Sequence, residues 1–235
     1  MIGNKILRFE TLDSTNNFAK VNAKSLEHGT VICSAIQSLG RGRKNRKWES
    51  EKGNLYFSFI LSEGVSRTDI FKYVVNTSVT INRLLKGFSV FSEIKYPNDI
   101  LVENKKICGI LMESYGSLEI DYVVIGVGIN INQSDFSNLS NNATSIKNET
   151  NMTLDIDKVL NKFIHIYNKI ESISFNEVFE EYLDNSLVIG KKIKLDSKTY
   201  HIKGIHENGN LILTRNGEIE YRSFNEITLS ELYQS

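Results

Sequence analysis

Gly40-Arg41-Gly42-Arg43-Lys44-Asn45-Arg46-Lys47-Trp48 lies between two apolar, strand-like runs, residues 31–36 and 55–61. It therefore reads as a loop held between two strands of a rigid sheet. Arg41, Arg43, Lys44, Arg46 and Lys47 make it strongly cationic, yet the whole chain is formally neutral, with 28 Lys+Arg against 28 Asp+Glu. A local cation cluster on a neutral protein suits a bounded anionic ligand better than an extended polyanion. Gly40 and Gly42 let the backbone take conformations that a Cβ resists and approach a ligand closely. The expectation is a mobile, glycine-hinged loop that closes over the phosphates of a nucleotide, while the rest of the chain supplies what reacts with it.

The bulk numbers allow this. A chain of 235 residues holds one sizeable core and a small appendix. Hydrophobic content of 40% and charged content of 24% are those of an ordinary globular protein. No apolar run approaches the ~20 residues that cross a bilayer, and residues 1–8 lack the apolar region of a signal peptide. Cys33 and Cys108 are too few for a disulfide scaffold, have no metal-ligand spacing, and sit in apolar surroundings as buried thiols. The expected location is cytoplasmic.

Outward from the loop, residues 5–11 form a short strand that runs into Asp13-Ser14-Thr15-Asn16, a cluster of helix-capping residues, and a helix over 17–25. Taken alone, Ser14 caps that helix and does nothing else. Strands follow over 30–37 and 55–61, and the apolar spacing of residues 70–86 predicts an amphipathic helix. A strand over 91–95 stops at Tyr96-Pro97-Asn98-Asp99, which contains the single proline of the chain. Residues 100–102 and 106–114 read as a hairpin, and 120–125 as a strand ending in the glycine run 126–132. Residues 135–150 are polar and read as a loop, and 154–173 and 175–187 as helices. After Gly190 come short strands over 191–195, 198–205, 210–214, 218–223 and 227–232. Asn208-Gly209 and Asn216-Gly217 predict type I′ hairpins between them. The expected fold is α+β: a main domain of strands and helices over 1–187 and a small antiparallel β-barrel domain over 188–235, docked without a linker.

Local motifs carry less than their combination. Lys106 on a strand near an Arg-rich loop is a cation placed to neutralise charge on a transferring phosphoryl group or a carboxylate; alone, Lys105-Lys106 is better explained as a solvated hairpin tip. Gly126 to Ile131 is not a dinucleotide fingerprint, because Ile131 stands where a third glycine is required. His28, His165, His201 and His206 are scattered surface residues. Trp48, Tyr56 and Phe57 beside the basic loop would suit single-stranded nucleic acid, but no second basic stripe exists, so no nucleic-acid partner is expected.

In order along the chain, however, Asp13-Ser14-Thr15-Asn16, Gln37 with Gly40 to Trp48, Lys95-Tyr96-Pro97-Asn98-Asp99, Lys106 with Gly109-Ile110-Leu111 and Glu113, Gly126 to Asn132, and Ala143-Thr144-Ser145 recur together. With these motifs the chain resembles the biotin protein ligases, and among them the short class without an N-terminal DNA-binding domain. Tyr96 stands in place of the usual Trp, and Asn45 in place of a common Gly. The resemblance implies a class II synthetase-like catalytic domain with a mixed β-sheet, and a two-step reaction. Biotin and ATP, with Mg2+, give biotinyl-5′-adenylate and pyrophosphate, and the acyl group then passes to a lysine of a biotin carboxyl carrier protein of the acetyl-CoA or pyruvate carboxylase type. It implies Lys106 and Arg43 as catalytic residues, and Ser14, Thr15, Asn16, Gln37, Arg41, Gly42, Arg43, Lys106, Gly109 and Ile110 around biotin. Arg43, Arg46, Trp48, Asn98, Lys106, Ile129 and Asn130 would bind ATP, and Asp99 would hold magnesium or the incoming lysine. An adenylate is prone to hydrolysis, which calls for a loop that excludes water.

Two rivals remain open at this stage. A lipoate/octanoate–protein ligase shares the adenylate logic by resemblance but carries an Arg-Arg-x-x-Gly-Gly-Gly-type loop. A non-catalytic biotin sensor is disfavoured because residues 1–4 leave no room for a helix-turn-helix ahead of the first strand. No membrane partner is expected, and the chain is expected to be a monomer or weak homodimer.

Overall fold

A computed structural model describes residues 1–43, 46–139 and 142–223. Lys44, Asn45 and the expected strand over 227–232 lie outside the described residues. A seven-stranded mixed sheet has the order β1-β2-β3-β7-β6-β5-β4. Its strands are β1 (Ile6–Leu12), β2 (Val31–Gln37), β3 (Leu55–Leu61), β4 (Glu93–Lys95), β5 (Asp99–Val102), β6 (Lys105–Tyr115) and β7 (Tyr122–Ile129). β1 and β2 are parallel, joined across α1 (Thr15–Val21), and every other pair is antiparallel. The crossover puts the N-terminus of α1 beyond the end of β1, next to the start of the cationic segment.

Each face of the sheet has its own cover. On one, α2 (Ile70–Lys86) is buried along most of its length and packs with α4 (Ile156–Ile170) and α5 (Phe175–Asp184). Phe57 and Phe59 of β3 meet Phe163 and Tyr167 of α4 there, with ring centroids 4.8 Å (Phe57–Phe163) and 5.0 Å (Phe59–Tyr167) apart. On the other face Ala19 of α1 meets Ile32, Ile60 and Val124.

A second, four-stranded antiparallel sheet has the order β11-β10-β9-β8, formed by β8 (Lys192–Leu195), β9 (Lys198–Ile205), β10 (Leu211–Arg215) and β11 (Glu218–Arg222). It is open among the described residues. Its inner side chains, including Ile193, Tyr200 and Leu213, belong to the same apolar cluster as the main core. The Tyr96 hydroxyl donates to the Gly209 carbonyl across this junction.

Several boundaries differ from expectation. Residues 135–150 are not all loop: Ser145 caps the short helix α3 (Ile146–Thr150), its hydroxyl accepting from the Asn148 N–H. The run through Gly126 and Gly128 is strand rather than a strand end. Asn216 and Gly217 both take left-handed φ, 51° and 85°, as a type I′ turn requires. At the other turn only Gly209 does, at 87°, and the Gly209 N–H donates to the His206 carbonyl, so that hairpin is longer than type I′. Among the described residues no helix is long and apolar enough to cross a membrane. Cys33 and Cys108 are free and buried, and none of the four histidines is buried.

Candidate active site

A cavity of about 350 Å³ opens where α1, β6, β7 and the cationic segment meet. Its inner end is polar and buried. Ser14, Thr15 and Asn16 are each 3% exposed. The Ser14 hydroxyl caps α1 by accepting from the Asn17 N–H. Gln37 Oε1 accepts from the Thr15 N–H at 2.8 Å, and its Nε2 donates to the Ser50 hydroxyl at 2.9 Å. Ser58 Oγ, fully buried on β3, lies 2.7 Å from Thr15 Oγ1 and donates to Asn16 Oδ1 at 2.6 Å.

Glycines form the floor because side chains from other elements fill the space. A Cβ on Gly126 would collide with the Asn16 amide, and one on Gly128 would lie 2.6 Å from Trp48 Nε1. A Cβ on Gly109 would lie 2.8 Å from the Trp48 ring and 3.2 Å from Lys106 Nζ. Gly126 and Gly128 are therefore site residues that reading the run as a failed dinucleotide motif does not find. The same close-approach argument holds at Gly40, where a Cβ would meet the Trp48 carbonyl and Ser50 Oγ. Neither Gly40 nor Gly42 takes a left-handed φ.

The described part of the cationic segment is a narrow hairpin rather than an open loop. Arg41 bridges Lys47, Gly42 N–H donates to the Arg46 carbonyl at 2.7 Å, and Trp48 N–H donates to the Gly40 carbonyl at 2.9 Å. Arg43 is anchored by donating to Asn98 Oδ1 at 3.0 Å. Burial pulls its pKa below the ordinary arginine value, and the charge of Asp99 partly offsets this. Burial likewise lowers Lys95, with Asp99 opposing and Lys106, Arg46 and Lys191 adding to the drop. Cations thus converge on one carboxylate.

Lys106 is not a solvated hairpin tip. Its Nζ is 2.7 Å from Asp99 Oδ1 and 4.9 Å from the Trp48 ring centroid. A register shift produces this aim: Ile100 pairs with Cys108, but Leu101 pairs with Lys106, leaving Ile107 as an extra residue in β6. Such a bulge re-aims a side chain, here placing Lys106 on the cavity face with Gly109. Two neighbours hold its backbone. Lys106 N–H donates to the Asn142 carbonyl at 2.9 Å, and Thr144 N–H donates to the Lys106 carbonyl at 3.0 Å.

Of the sequence-derived candidates, Ser14, Thr15, Asn16, Gln37, Arg41, Gly42, Arg43, Arg46, Trp48, Asn98, Asp99, Lys106, Gly109 and Ile110 all line this cavity. Ile129 and Asn130 do not. Ile129 is wholly buried in the core, and the Asn130 amide donates to the Thr144 carbonyl at 2.9 Å and the Lys106 carbonyl at 3.4 Å. Asn130 thus supports the strand that carries Lys106. Asp99 is the sole carboxylate lining the cavity among the described residues, and no group of three or more His, Cys, Asp or Glu gathers among them. That donor set fits an ion carried mainly by phosphates with one protein carboxylate, as magnesium commonly is.

The fold and cavity define a mixed-sheet protein that binds a small molecule with one polar end enclosed and an anionic end among cations. Residues 8–130 match the biotin/lipoate A/B protein ligase family, and the chain belongs to that family. It is 30% identical over 234 residues to the bifunctional ligase/repressor BirA of Salmonella typhimurium, covering 93% of this chain and 72% of that one. It is 27% identical to the biotin–[acetyl-CoA-carboxylase] ligase of Paracoccus denitrificans, covering 86% and 90%. Other relatives are matched over only 54% and 48% of their length. The biotin protein ligase of Aquifex aeolicus, solved with biotin and ATP, superposes with a TM-score of 0.81 at 26% identity, covering 96% of this chain and 98% of that one.

Proposed function

We propose that this chain is a biotin protein ligase, which activates biotin with ATP to biotinyl-5′-adenylate and passes the biotinyl group to a lysine of a carrier protein. The observation that carries the reading is one cavity joining a buried, hydrogen-bonding end to a cation-lined end across Lys106. A ureido ring satisfies polar groups such as Thr15, Asn16 and Ser58. A dithiolane or alkyl chain offers no hydrogen bond to the valences that their mutual bonds leave over, and that mismatch discriminates between ligands.

In the first step the biotin carboxylate attacks the α-phosphate, and two anions must approach each other. Lys106 lies where the two would meet, and Arg43 and Arg46 screen the phosphates. Asn98 fixes Arg43, and the ion pair with Asp99 fixes Lys106 before substrate arrives. The Trp48 indole covers Gly109 and Gly128, and its N–H is buried without an acceptor among the described residues, so it offers a nucleotide both a ring face and a donor. Asp99 would share a magnesium ion with the phosphates, and that ion would supply neutralisation of the charge on the leaving pyrophosphate.

Finer assignments belong to the same proposal. The catalytic part is residues 1–187, of class II synthetase-like type, and residues 188–235 form the small barrel-like unit. The acceptor is a carboxyl carrier of the acetyl-CoA or pyruvate carboxylase type, nucleic acid is not a partner, and the protein works in the cytoplasm. Strand β1 ends the main sheet, an edge compatible with a monomer or a weak homodimer.

The test is ATP–pyrophosphate exchange with biotin, lipoate or octanoate as the only added acid. Exchange with biotin alone is expected. Exchange with lipoate or octanoate instead would move the chain to the sister activity, and biotin binding without any exchange would make it a sensor.

A further inference from the structure

Glu113 touches both halves of the cavity wall. By alternation along β6 it shares a face with Gly109 and Leu111. One carboxylate oxygen, Oε2, accepts from Asn16 Nδ2 at 3.0 Å. The other, Oε1, accepts from Arg41 Nη2 at 3.1 Å. We propose that Glu113 is a positioning residue that fixes the hydrogen-bond polarity of Asn16 and anchors the first limb of the cationic hairpin, so that ligand selection and hairpin closure depend on one carboxylate. This deepens the biotin reading above and rests on it.

The polarity argument follows from donors and acceptors. Asn16 Nδ2 has two hydrogens, directed to Glu113 Oε2 and to the Leu111 carbonyl at 3.2 Å. A carboxylate and a carbonyl can only accept, so a flipped amide would set its oxygen against both. Ser58, donating to Asn16 Oδ1 at 2.6 Å, holds the same orientation from the other side. Oδ1 is thereby fixed over Gly126, at the cavity wall, with a lone pair left for a ligand. The site is built to accept a hydrogen bond there, which selects an N–H donor such as a ureido group over a dithiolane or an alkyl chain. The second half concerns Arg41. Paired with Glu113, it is a strut of the hairpin, and the phosphate-facing charges are left to Arg43, Arg46 and Lys106. Tyr115, two residues further along β6, is pushed up to about 12 by burial and then by the charge of Glu113, so it remains protonated beside the carboxylate.

Glu113→Gln tests both halves, because an amide offers one acceptor and one donor and must face either Asn16 or Arg41 with an N–H. We expect biotin affinity to fall about tenfold and biotinyl-adenylate to dissociate about tenfold faster, with lipoate binding unchanged. Arg41→Ala should speed adenylate dissociation, and adding it to Glu113→Gln should change dissociation less than about twofold, since coupled residues are not additive. If Glu113→Gln does not fold, Glu113→Asp, whose shorter arm reaches neither partner, should give the same two losses. Unchanged biotin affinity in a folded variant, or strictly multiplicative effects with Arg41→Ala, would overturn the proposal. Failure of the wild-type chain to bind biotin would instead overturn the reading on which it rests.

Discussion

At the buried end of the cavity, Thr15, Asn16 and Ser58 are between 0% and 3% exposed and hydrogen-bond to one another across α1 and β3. At the mouth, Arg41, Arg46 and Lys47 are exposed, and the hairpin that carries them is tied to the body by Arg41 to Glu113, Arg43 to Asn98 and the Trp48 ring over Gly109 and Gly128. The difference follows from what each end must do. Recognition of a neutral polar ring needs groups already desolvated and oriented, because an unpaired buried polar atom costs about 1–3 kcal/mol. Neutralising a triphosphate needs long cationic side chains that stay hydrated until the ligand arrives. One end is enclosed by packing; the other presents its charges to solvent.

The widest separation between the ends should come from Lys106→Ala. Lys106 stands at the junction, so adenylate formation should slow by about two to three orders of magnitude with little change in biotin binding, read by single-turnover mixing. A near-normal rate would remove Lys106 from the chemistry. Arg43→Ala should raise the dissociation rate of biotinyl-adenylate about 10- to 100-fold, the worth of a charge-assisted bond to phosphate, and leave free biotin affinity alone. Equal losses for both ligands would erase the division between the ends. Ser58→Ala should act in the opposite sense. It should weaken biotin about tenfold and destabilise the fold by about 1–2 kcal/mol, seen in calorimetry and chemical unfolding, while bound adenylate chemistry proceeds. Protease cutting within residues 40–53 should be slower with biotin and ATP than without; identical cleavage would mean that the mouth is as preformed as the floor. The smallest effect concerns Cys33 on β2, buried in the main core. Burial raises its pKa from 9.0 to about 12, so the folded state holds its proton more tightly than the unfolded state. Its contribution to stability is complete below pH 9 and declines as pH rises from about 9 towards 12. A melting temperature flat to pH 9 and falling above it is expected.

Much of this was legible in the sequence. The alternating and apolar runs placed β1 to β3, α2, β6 and the second sheet to within a few residues, because period and turn chemistry are local. The cationic segment, Gln37, Asn98 and Lys106 were found as side-chain types in order. What escaped depended on packing. The sequence does not show that the Asn130 Nδ2 donates to the Lys106 and Thr144 carbonyls. Ile129 sat beside it in the motif but faces the core. Gly126 and Gly128 matched no phosphate-binding pattern because their role is to leave room for Asn16 and Trp48, which arrive from other elements.

By itself the sequence determined a main domain of strands and helices, a small antiparallel appendage, and a cation-rich segment flanked by strands, since periodicity, caps and charge are written residue by residue. The tertiary structure alone decided which way the functional groups point. A one-residue bulge at Ile107 turns Lys106 onto the cavity face, and Glu113, nearly a hundred residues from Asn16, sets which atom of that amide meets the ligand. Strand register and long-range hydrogen bonds fix those orientations, and both exist only once distant segments have packed together.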